Sequence, residues 1–239
     1  MGARKGQHFL ANLRVAERIA QEIGEGKVVV EIGGGKGFLT RMIASKNKVY
    51  SIEIEEGFKE HLIKAGAEPV IADFLEVEPI DCDVVVGNIP YYISSAVVMK
   101  LREWKFEKAI IMLQKEFVDA MMAKPRERKY GRLSVMAQML YSIRRLLNVG
   151  KWSFSPPPKV DSVLVELMKK GEVGKDIEDF VRVLFHRKNK VLRWLEREYG
   201  VELKEKWKRR RARELGIEEI KELFSELKPF LKQIHWKTQ

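Results

Sequence analysis

Five consecutive residues, Val28-Val29-Val30-Glu31-Ile32, make a largely apolar run of strand length that passes directly into Gly33-Gly34-Gly35-Lys36-Gly37. A run without polar alternation is what a strand covered on both faces requires, so it predicts a central parallel strand. Phe38 to Ile43 then starts a helix. A glycine-rich turn between strand and helix lets a ligand approach the backbone closely and offers helix N-terminal amides. This one stretch commits the chain to an open α/β sheet with a ligand at the carboxyl edge of its strands.

The glycine spacing narrows the ligand. A nicotinamide fingerprint needs G-x-G-x-x-G, and counting from Gly33 its last position is Phe38. The pattern present is G-x-G-x-G after the acidic Glu31, which suits S-adenosylmethionine better than a dinucleotide. A second strand, Lys48 to Ile54, places Glu53 near its end, close to the roughly 20-residue interval at which a ribose-binding carboxylate is expected. A third, Pro69 to Ala72, ends in Asp73-Phe74, where a carboxylate can accept from an adenine amine while the ring packs on the base. The fourth, Val84 to Gly87, runs into Asn88-Ile89-Pro90-Tyr91. An amide oxygen and a proline-fixed carbonyl both accept hydrogen bonds, and a tyrosine face stacks on a flat ring, so this edge can hold the exocyclic amine of a nucleobase. An ordinary strand end with a proline turn is the plain alternative.

Further strands are expected at Lys108 to Gln114, Tyr141 to Val149 and Ser162 to Leu167, the last two as an antiparallel pair. Helices are expected at Leu13 to Ile23, Ser94 to Trp104, Lys115 to Met122 and Leu133 to Leu140. Between the last two strands lies Phe154-Ser155-Pro156-Pro157-Pro158. A triple proline cannot join a sheet interior and must project a loop, with Phe154 as either a core anchor or a ring for a base. Lys170 to Lys175 is the linker candidate, dividing the chain into 1–170 and a helical 171–239, with helices at Ile177 to Phe185, Val191 to Tyr199 and Ile217 to Leu227.

Charge points to the partner. The formal net charge is +11, and +7 of it falls from Lys169 onward, where 20 basic residues face 13 acidic ones. Basic and aromatic residues interleave around Arg187 and Lys188 and again in Trp207-Lys208-Arg209-Arg210-Arg211, favouring phosphate contacts over a plain solvated face. The single cysteine, Cys82, rules out an internal disulfide and reads as a buried inert thiol in a reducing compartment. No run approaches the roughly 20 apolar residues of a membrane span, and no signal peptide precedes the first helix. His61, His186 and His235 show no metal-ligand spacing.

With these motifs in place, the chain resembles the KsgA-type family of ribosomal RNA adenine N6,N6-dimethyltransferases. The match runs in order from Gly6-Gln7-His8-Phe9-Leu10 through Glu31–Gly37, Ile52-Glu53, Asp73, Asn88–Tyr91, Gln114-Lys115-Glu116 and Tyr130-Gly131-Arg132-Leu133-Ser134-Val135. It continues through Phe154–Val163 to the basic segment at Arg187-Lys188. The resemblance implies an α/β, Rossmann-like seven-stranded S-adenosylmethionine-dependent methyltransferase fold with a small all-helical C-terminal domain that binds RNA. It implies cofactor contacts from His8, Leu10, Gly33, Gly35, Glu53, Asp73 and Asn88. It implies catalysis by Asn88, Pro90, Tyr91 and Phe154, and RNA contacts from Arg187, Lys188, Arg209, Arg210 and Arg211. The implied enzyme dimethylates two adjacent adenosines in a hairpin near the 3′ end of small-subunit rRNA. It is expected to act late in small-subunit biogenesis, as a cytoplasmic monomer that needs neither metal nor membrane.

The chain departs from the family pattern in three places. Gly34 stands where many members have proline, suggesting a less rigid loop; His8 replaces a common asparagine; Tyr92 follows Tyr91 where asparagine is frequent. A large-subunit methylase of the antibiotic-resistance type shares the cofactor and base motifs, but Tyr130–Ser134 and Pro156–Ser162 favour the small-subunit enzyme. A non-catalytic RNA-binding factor need not keep Asn88–Tyr91, Glu53 and Asp73 intact. A DNA adenine methylase would need a sequence-reading domain, and nothing here resembles one.

Overall fold

Asn12 and Gly24 bracket the first helix. The Asn12 side chain accepts from the Val15 N–H at 3.3 Å, and Gly24 ends the helix at φ 90°, a conformation few other residues adopt. Between them Val15, Ala16, Ile19 and Ile23 are buried along one stripe, as the periodicity predicts. The computed structural model describes residues 8–231. The basic arm Gly2–Gly6, Gln7 and His235 lie outside the described residues.

The chain divides into two compact units, the first made of the residues up to Val118 together with Tyr141–Lys169. It opens with β1 (Phe9–Leu10) and α1 (Leu13–Ile23). The apolar runs follow as β2 (Val28–Ile32), β3 (Lys48–Glu53), β4 (Glu68–Ile71) and β5 (Val84–Asn88), with α2 (Phe38–Ala44) and α3 (Lys59–Lys64) as crossovers. Next come α4 (Ser94–Lys100) and β6 (Lys108–Gln114). α5 (Lys115–Met121) and α6 (Arg132–Leu140) form the excursion before β7 (Tyr141–Val149), β8 (Phe154–Ser155) and β9 (Ser162–Lys169).

Seven strands form one sheet in the order β4-β3-β2-β5-β6-β9-β7. The first five are parallel; β9 inserts antiparallel between β6 and β7. The antiparallel pair expected at the end of this unit is therefore present, and its second strand also closes onto β6. The chain runs outward from β2 to β4 and then resumes on the other side at β5. That reversal opens a crevice beyond the carboxyl ends of β2 and β5. β1 and β8 form a separate two-stranded ribbon, with Phe9 opposite Ser155 and Leu10 opposite Phe154.

The second unit combines Asp119–Leu140 with the chain from Lys170 onward. A linker at Lys170 to Lys175 puts all of 1–170 in the first domain, whereas the structure assigns the excursion that carries α6 to the second. The physical reason lies in its anchors: the Tyr130 hydroxyl donates to Leu215 O at 2.7 Å, and the Arg126 N–H donates to Arg213 O at 2.7 Å. The unit is completed by α7 (Lys175–His186), α8 (Trp194–Tyr199), α9 (Glu205–Lys208) and α10 (Ile217–Leu231). α8 starts later than the expected Val191 because Val191 pairs with Arg211 in an isolated β-bridge and the Leu192 N–H donates to Arg210 O. No helix among the described residues is long and apolar enough to cross a membrane.

Candidate active site

The turn after β2 uses its glycines where the backbone demands them. Gly33, Gly35 and Gly37 have φ of 73°, 53° and 75°, in the left-handed region that side chains disfavour. A Cβ on Gly35 would also lie 2.8 Å from the Phe9 ring, so the aromatic ring of β1 packs onto the bare backbone. The loop is held, not slack. Gly33 N–H donates to Ile52 O at 2.8 Å, Gly37 N–H to Gly34 O at 3.0 Å, and Gly35 N–H to Glu53 Oε2 at 2.9 Å.

Glu53 is buried at the end of β3, and its other oxygen, Oε1, accepts from the Glu55 N–H at 3.0 Å. A carboxylate has about four acceptor sites. Two are used by the backbone, and the rest are available at the cleft that Glu53 lines. Asp73 behaves similarly: Oδ1 accepts from the Leu75 N–H at 2.9 Å, and Oδ2 has no partner among the described residues. Phe74 stacks on Trp104 with ring centroids 5.1 Å apart, which fixes the wall beside Asp73.

Behind the glycine turn, Glu31 is buried, and its Oε2 accepts from Thr40 Oγ1 at 2.6 Å and Ser51 Oγ at 3.0 Å. Burial pushes this carboxyl up to about 7, against the two hydroxyl hydrogen bonds that favour the charged form.

On the β5 side, Asn88 Nδ2 donates to the His8 carbonyl at 2.7 Å. His8 Nδ1 in turn donates to Pro156 O at 2.8 Å, which ties β1 to the triple-proline loop. The His8 and Tyr91 rings lie 5.9 Å apart, and the Tyr91 hydroxyl shares a hydrogen bond with Ser162 Oγ at 2.9 Å. Burial raises the Tyr91 phenol above its ordinary range, so it stays neutral. Pro90 O accepts from the Ile93 N–H at 3.1 Å and keeps one lone pair.

These elements enclose a cavity of about 240 Å³. Its lining brings together His8, Gly33, Gly35, Glu53, Asp73, Asn88, Pro90 and Tyr91 from the expected set. Two expected residues are elsewhere. Leu10 and Phe154 face each other across the β1–β8 ribbon, are 6% and 4% exposed, and belong to the hydrophobic core. Neither lines the cavity, so Phe154 is a core anchor and not an open ring for a base. The sequence left Phe154 undecided because a ring before a proline loop fits either role. Phe9, Ile54 and Tyr92 were missed as lining residues. Ile54 and Tyr92 are 59% and 79% exposed, and a large apolar residue exposed at a strand-end cleft is the signal that finds them.

In the second unit, the expected RNA-contacting side chains are mostly committed to intramolecular partners. Arg187 pairs with Glu198 and lies 5.2 Å from the centroid of the Trp194 ring, while Lys188 Nζ donates to Tyr130 O at 2.8 Å. Arg210 holds Glu219 at 2.9 and 3.2 Å, and Arg211 donates to Asn189 O and pairs with Glu214. Of the five, Arg209 alone is exposed, with no hydrogen bond or ion pair among the described residues. Cys82 is half-buried rather than buried, and burial pushes its thiol up to about 12, leaving it protonated and unreactive.

A cleft with a glycine turn and strand-end carboxylates on one side and neutral acceptors beside aromatic rings on the other suits a nucleoside cofactor next to an amine. The bare backbone at Gly33 and Gly35 and the remaining lone pairs of Glu53 and Asp73 match what the methionine, ribose and adenine parts of S-adenosylmethionine need. The fold and site are those of an S-adenosylmethionine-dependent methyltransferase. Within that class, residues 3–227 match the family described as Ribosomal RNA adenine dimethylase, and the chain belongs to it. The Ribosomal RNA small subunit methyltransferase A of Thermotoga neapolitana is 39% identical over 236 residues, covering 92% of this chain and 89% of that protein. The crystal structure of a dimethyladenosine transferase from Plasmodium falciparum aligns with a TM-score of 0.81 at 27% identity, covering 93% of this chain and 98% of that one. The 23S rRNA methyltransferase ErmE aligns with a TM-score of 0.62 at 28% identity, covering 92% and 99%.

Proposed function

We propose that this protein dimethylates the N6 amines of two adjacent adenosines in a hairpin near the 3′ end of small-subunit rRNA, acting as a monomer on a late pre-ribosomal small subunit. The observation that carries the chemistry is the Asn88–His8 hydrogen bond. It occupies the amide N–H side of Asn88 and leaves Oδ1 as an acceptor at the cleft, beside the remaining lone pair of Pro90 O.

S-adenosylmethionine, when bound, supplies a methyl group already activated on a sulfonium, so no metal is required. The difficulty lies in the acceptor, because the adenine N6 lone pair is delocalised into the ring. Asn88 Oδ1 and Pro90 O each accept one N6–H bond, which favours a more tetrahedral nitrogen with its lone pair free to attack. This is positioning and electrostatic stabilisation rather than strong base catalysis, since neither oxygen can keep a proton. The proton lost from N6 leaves to solvent after each transfer. Tyr91, fixed by Ser162, stacks the extruded base, and the exposed Tyr92 supplies a second ring at the rim in place of Phe154. Each such contact is worth about 1–3 kcal/mol. After one methylation a single N6–H remains, so one acceptor suffices for the second.

The test is transfer of labelled methyl to unmethylated small ribosomal subunits, with large subunits and naked RNA alongside, followed by digestion to nucleosides. N6,N6-dimethyladenosine from small subunits alone is the expected result. Label on large-subunit RNA would move the assignment to a large-subunit methylase, and RNA binding without transfer would leave a binding factor on a methyltransferase scaffold.

A further inference from the structure

The basic residues of the second unit that are free to meet RNA are not mainly those of the Arg209–Arg211 run. Three segments of this unit are joined through their backbones. Arg126 N–H donates to Arg213 O at 2.7 Å, and Arg213 N–H donates to Lys188 O at 3.3 Å. The loop carrying Arg126 is fixed at further points. Lys188 Nζ binds Tyr130 O, the Tyr130 hydroxyl binds Leu215 O, and Gly131 N–H donates to Ser134 Oγ at 3.0 Å. Arg126 itself has φ 74°, the sole non-glycine residue with positive φ among the described residues. A bulky residue held in that region is uncommon, and such a conformation is kept where the surroundings impose it.

The loop's own charges are sorted. Glu127 turns its carboxylate back to accept the Lys124 N–H at 2.9 Å, and Lys129 pairs with Asp119 at 2.9 Å. Glu214 and Glu219 lie within electrostatic reach of Arg126, but their hydrogen bonds go to Arg211 and Arg210. Arg126, Arg128 and Arg213 are all exposed, and their guanidinium groups make no hydrogen bond or ion pair among the described residues. The paired arginines thus act as struts, while the unpaired ones stand on a pre-ordered support.

We propose that Arg126, Arg128 and Arg213 form the phosphate-binding surface of the second unit, taking the backbone of the RNA substrate. This rests on the proposed function only in taking RNA as the ligand. Guanidinium forks match phosphate oxygens and lose little freedom when their backbone is already fixed. Phosphate contact carries no sequence information, so this surface contributes affinity and orientation, and the choice of adenosine stays with the cleft.

The experiment compares the full chain with R126N/R128Q/R213Q, where Asn tolerates the left-handed position, and with R14Q/K64Q/K105Q, an equal loss of exposed charge from the first unit. Binding of small-subunit rRNA and of a homopolymer RNA is measured over a salt series, with cofactor affinity as the check on folding. The cluster variant is expected to lose roughly 10- to 100-fold in RNA affinity at 0.15 M salt and to flatten the salt slope by about 2. The control should lose far less. Equal losses in both variants, or wild-type affinity in the cluster variant, would overturn the proposal. Arginine modification of the wild-type protein by phenylglyoxal gives an independent reading: RNA should protect Arg126, Arg128 and Arg213, and reactivity unchanged by RNA would also overturn it. Absence of rRNA methylation by the wild-type protein, together with lost RNA affinity in the cluster variant, would sink the proposed substrate and leave this surface standing.

Discussion

The side-chain amide of Asn88 donates to the backbone carbonyl of His8 at 2.7 Å, across 80 residues of sequence. This single bond decides which end of the amide faces the cleft. Asn88→Ala removes the acceptor without disturbing the glycine turn, Glu53 or Asp73. We expect turnover to fall about 10²–10³-fold, as when a positioned acceptor or donor is deleted from a transition state. Affinity for S-adenosylmethionine, measured by calorimetry, should stay within a few-fold of wild type. Turnover at the wild-type level would remove Asn88 from the mechanism.

Glu31 sets a pH dependence of stability. Its carboxyl titrates near 4.5 in an unfolded chain and is pushed to about 7 in the fold, chiefly by burial. The folded state therefore binds the extra proton between those values, so stability falls as pH rises through this window and levels off above it. Glu31→Gln keeps an oxygen for Thr40 and Ser51 and cannot ionise. Its unfolding free energy should be flatter between pH 5 and 7 than that of the wild type, measured by urea titration. Parallel curves for the two proteins would contradict the assignment.

How much of this was legible beforehand follows from which residues act locally. The strands β2, β3 and β5 and their terminal Gly33, Glu53 and Asn88 were readable because an apolar run and the residue that ends it are adjacent in sequence. The β1–β8 ribbon was not, since nothing local states that Leu10 lies opposite Phe154. For that reason two residues assigned to the site proved to be core. The same limit applied to the basic run. Arg210 and Arg211 read as a cationic surface until Glu219 and Glu214, nine and three residues downstream, are seen to hold them. Charge along a sequence shows where cations are, and pairing in space decides which are available.

Phe154 packs in the core, whereas Tyr92 stands exposed at the cleft. Phe154→Ala should destabilise the fold by about 3–5 kcal/mol, the range for truncating a buried phenylalanine. Phe154→Leu, which retains most of the volume, should keep near-normal turnover at a reduced melting temperature. Tyr92→Ala should leave the melting temperature nearly unchanged and reduce kcat/KM by roughly 5- to 100-fold, the loss of one base-stacking contact. Thermal unfolding and single-turnover transfer distinguish the two. A Phe154→Leu variant as stable as wild type but inactive would restore that ring to the base pocket.

Gly34 is where the family resemblance and this structure part. A Cβ placed there would lie 2.2 Å from Ser51 Oγ, 2.6 Å from Leu62 Cδ2 and 2.8 Å from Glu31 Oε2. Each of those atoms belongs to a buried residue, and the two oxygens are hydrogen-bonded to one another at 3.0 Å, so none can swing away cheaply. The missing side chain is thus replaced by neighbours rather than by empty space, which argues against the looser loop that loss of a proline suggests. Gly34→Ala should destabilise the protein by about 1–3 kcal/mol, as overpacking does. Ser51→Ala removes the nearest obstructing atom, so Gly34→Ala/Ser51→Ala should regain part of the loss, with a coupling of about 1 kcal/mol between the sites. Urea unfolding of the four proteins in the cycle measures that coupling. Strict additivity would mean that the glycine is required by its backbone alone and that Ser51 merely lies nearby.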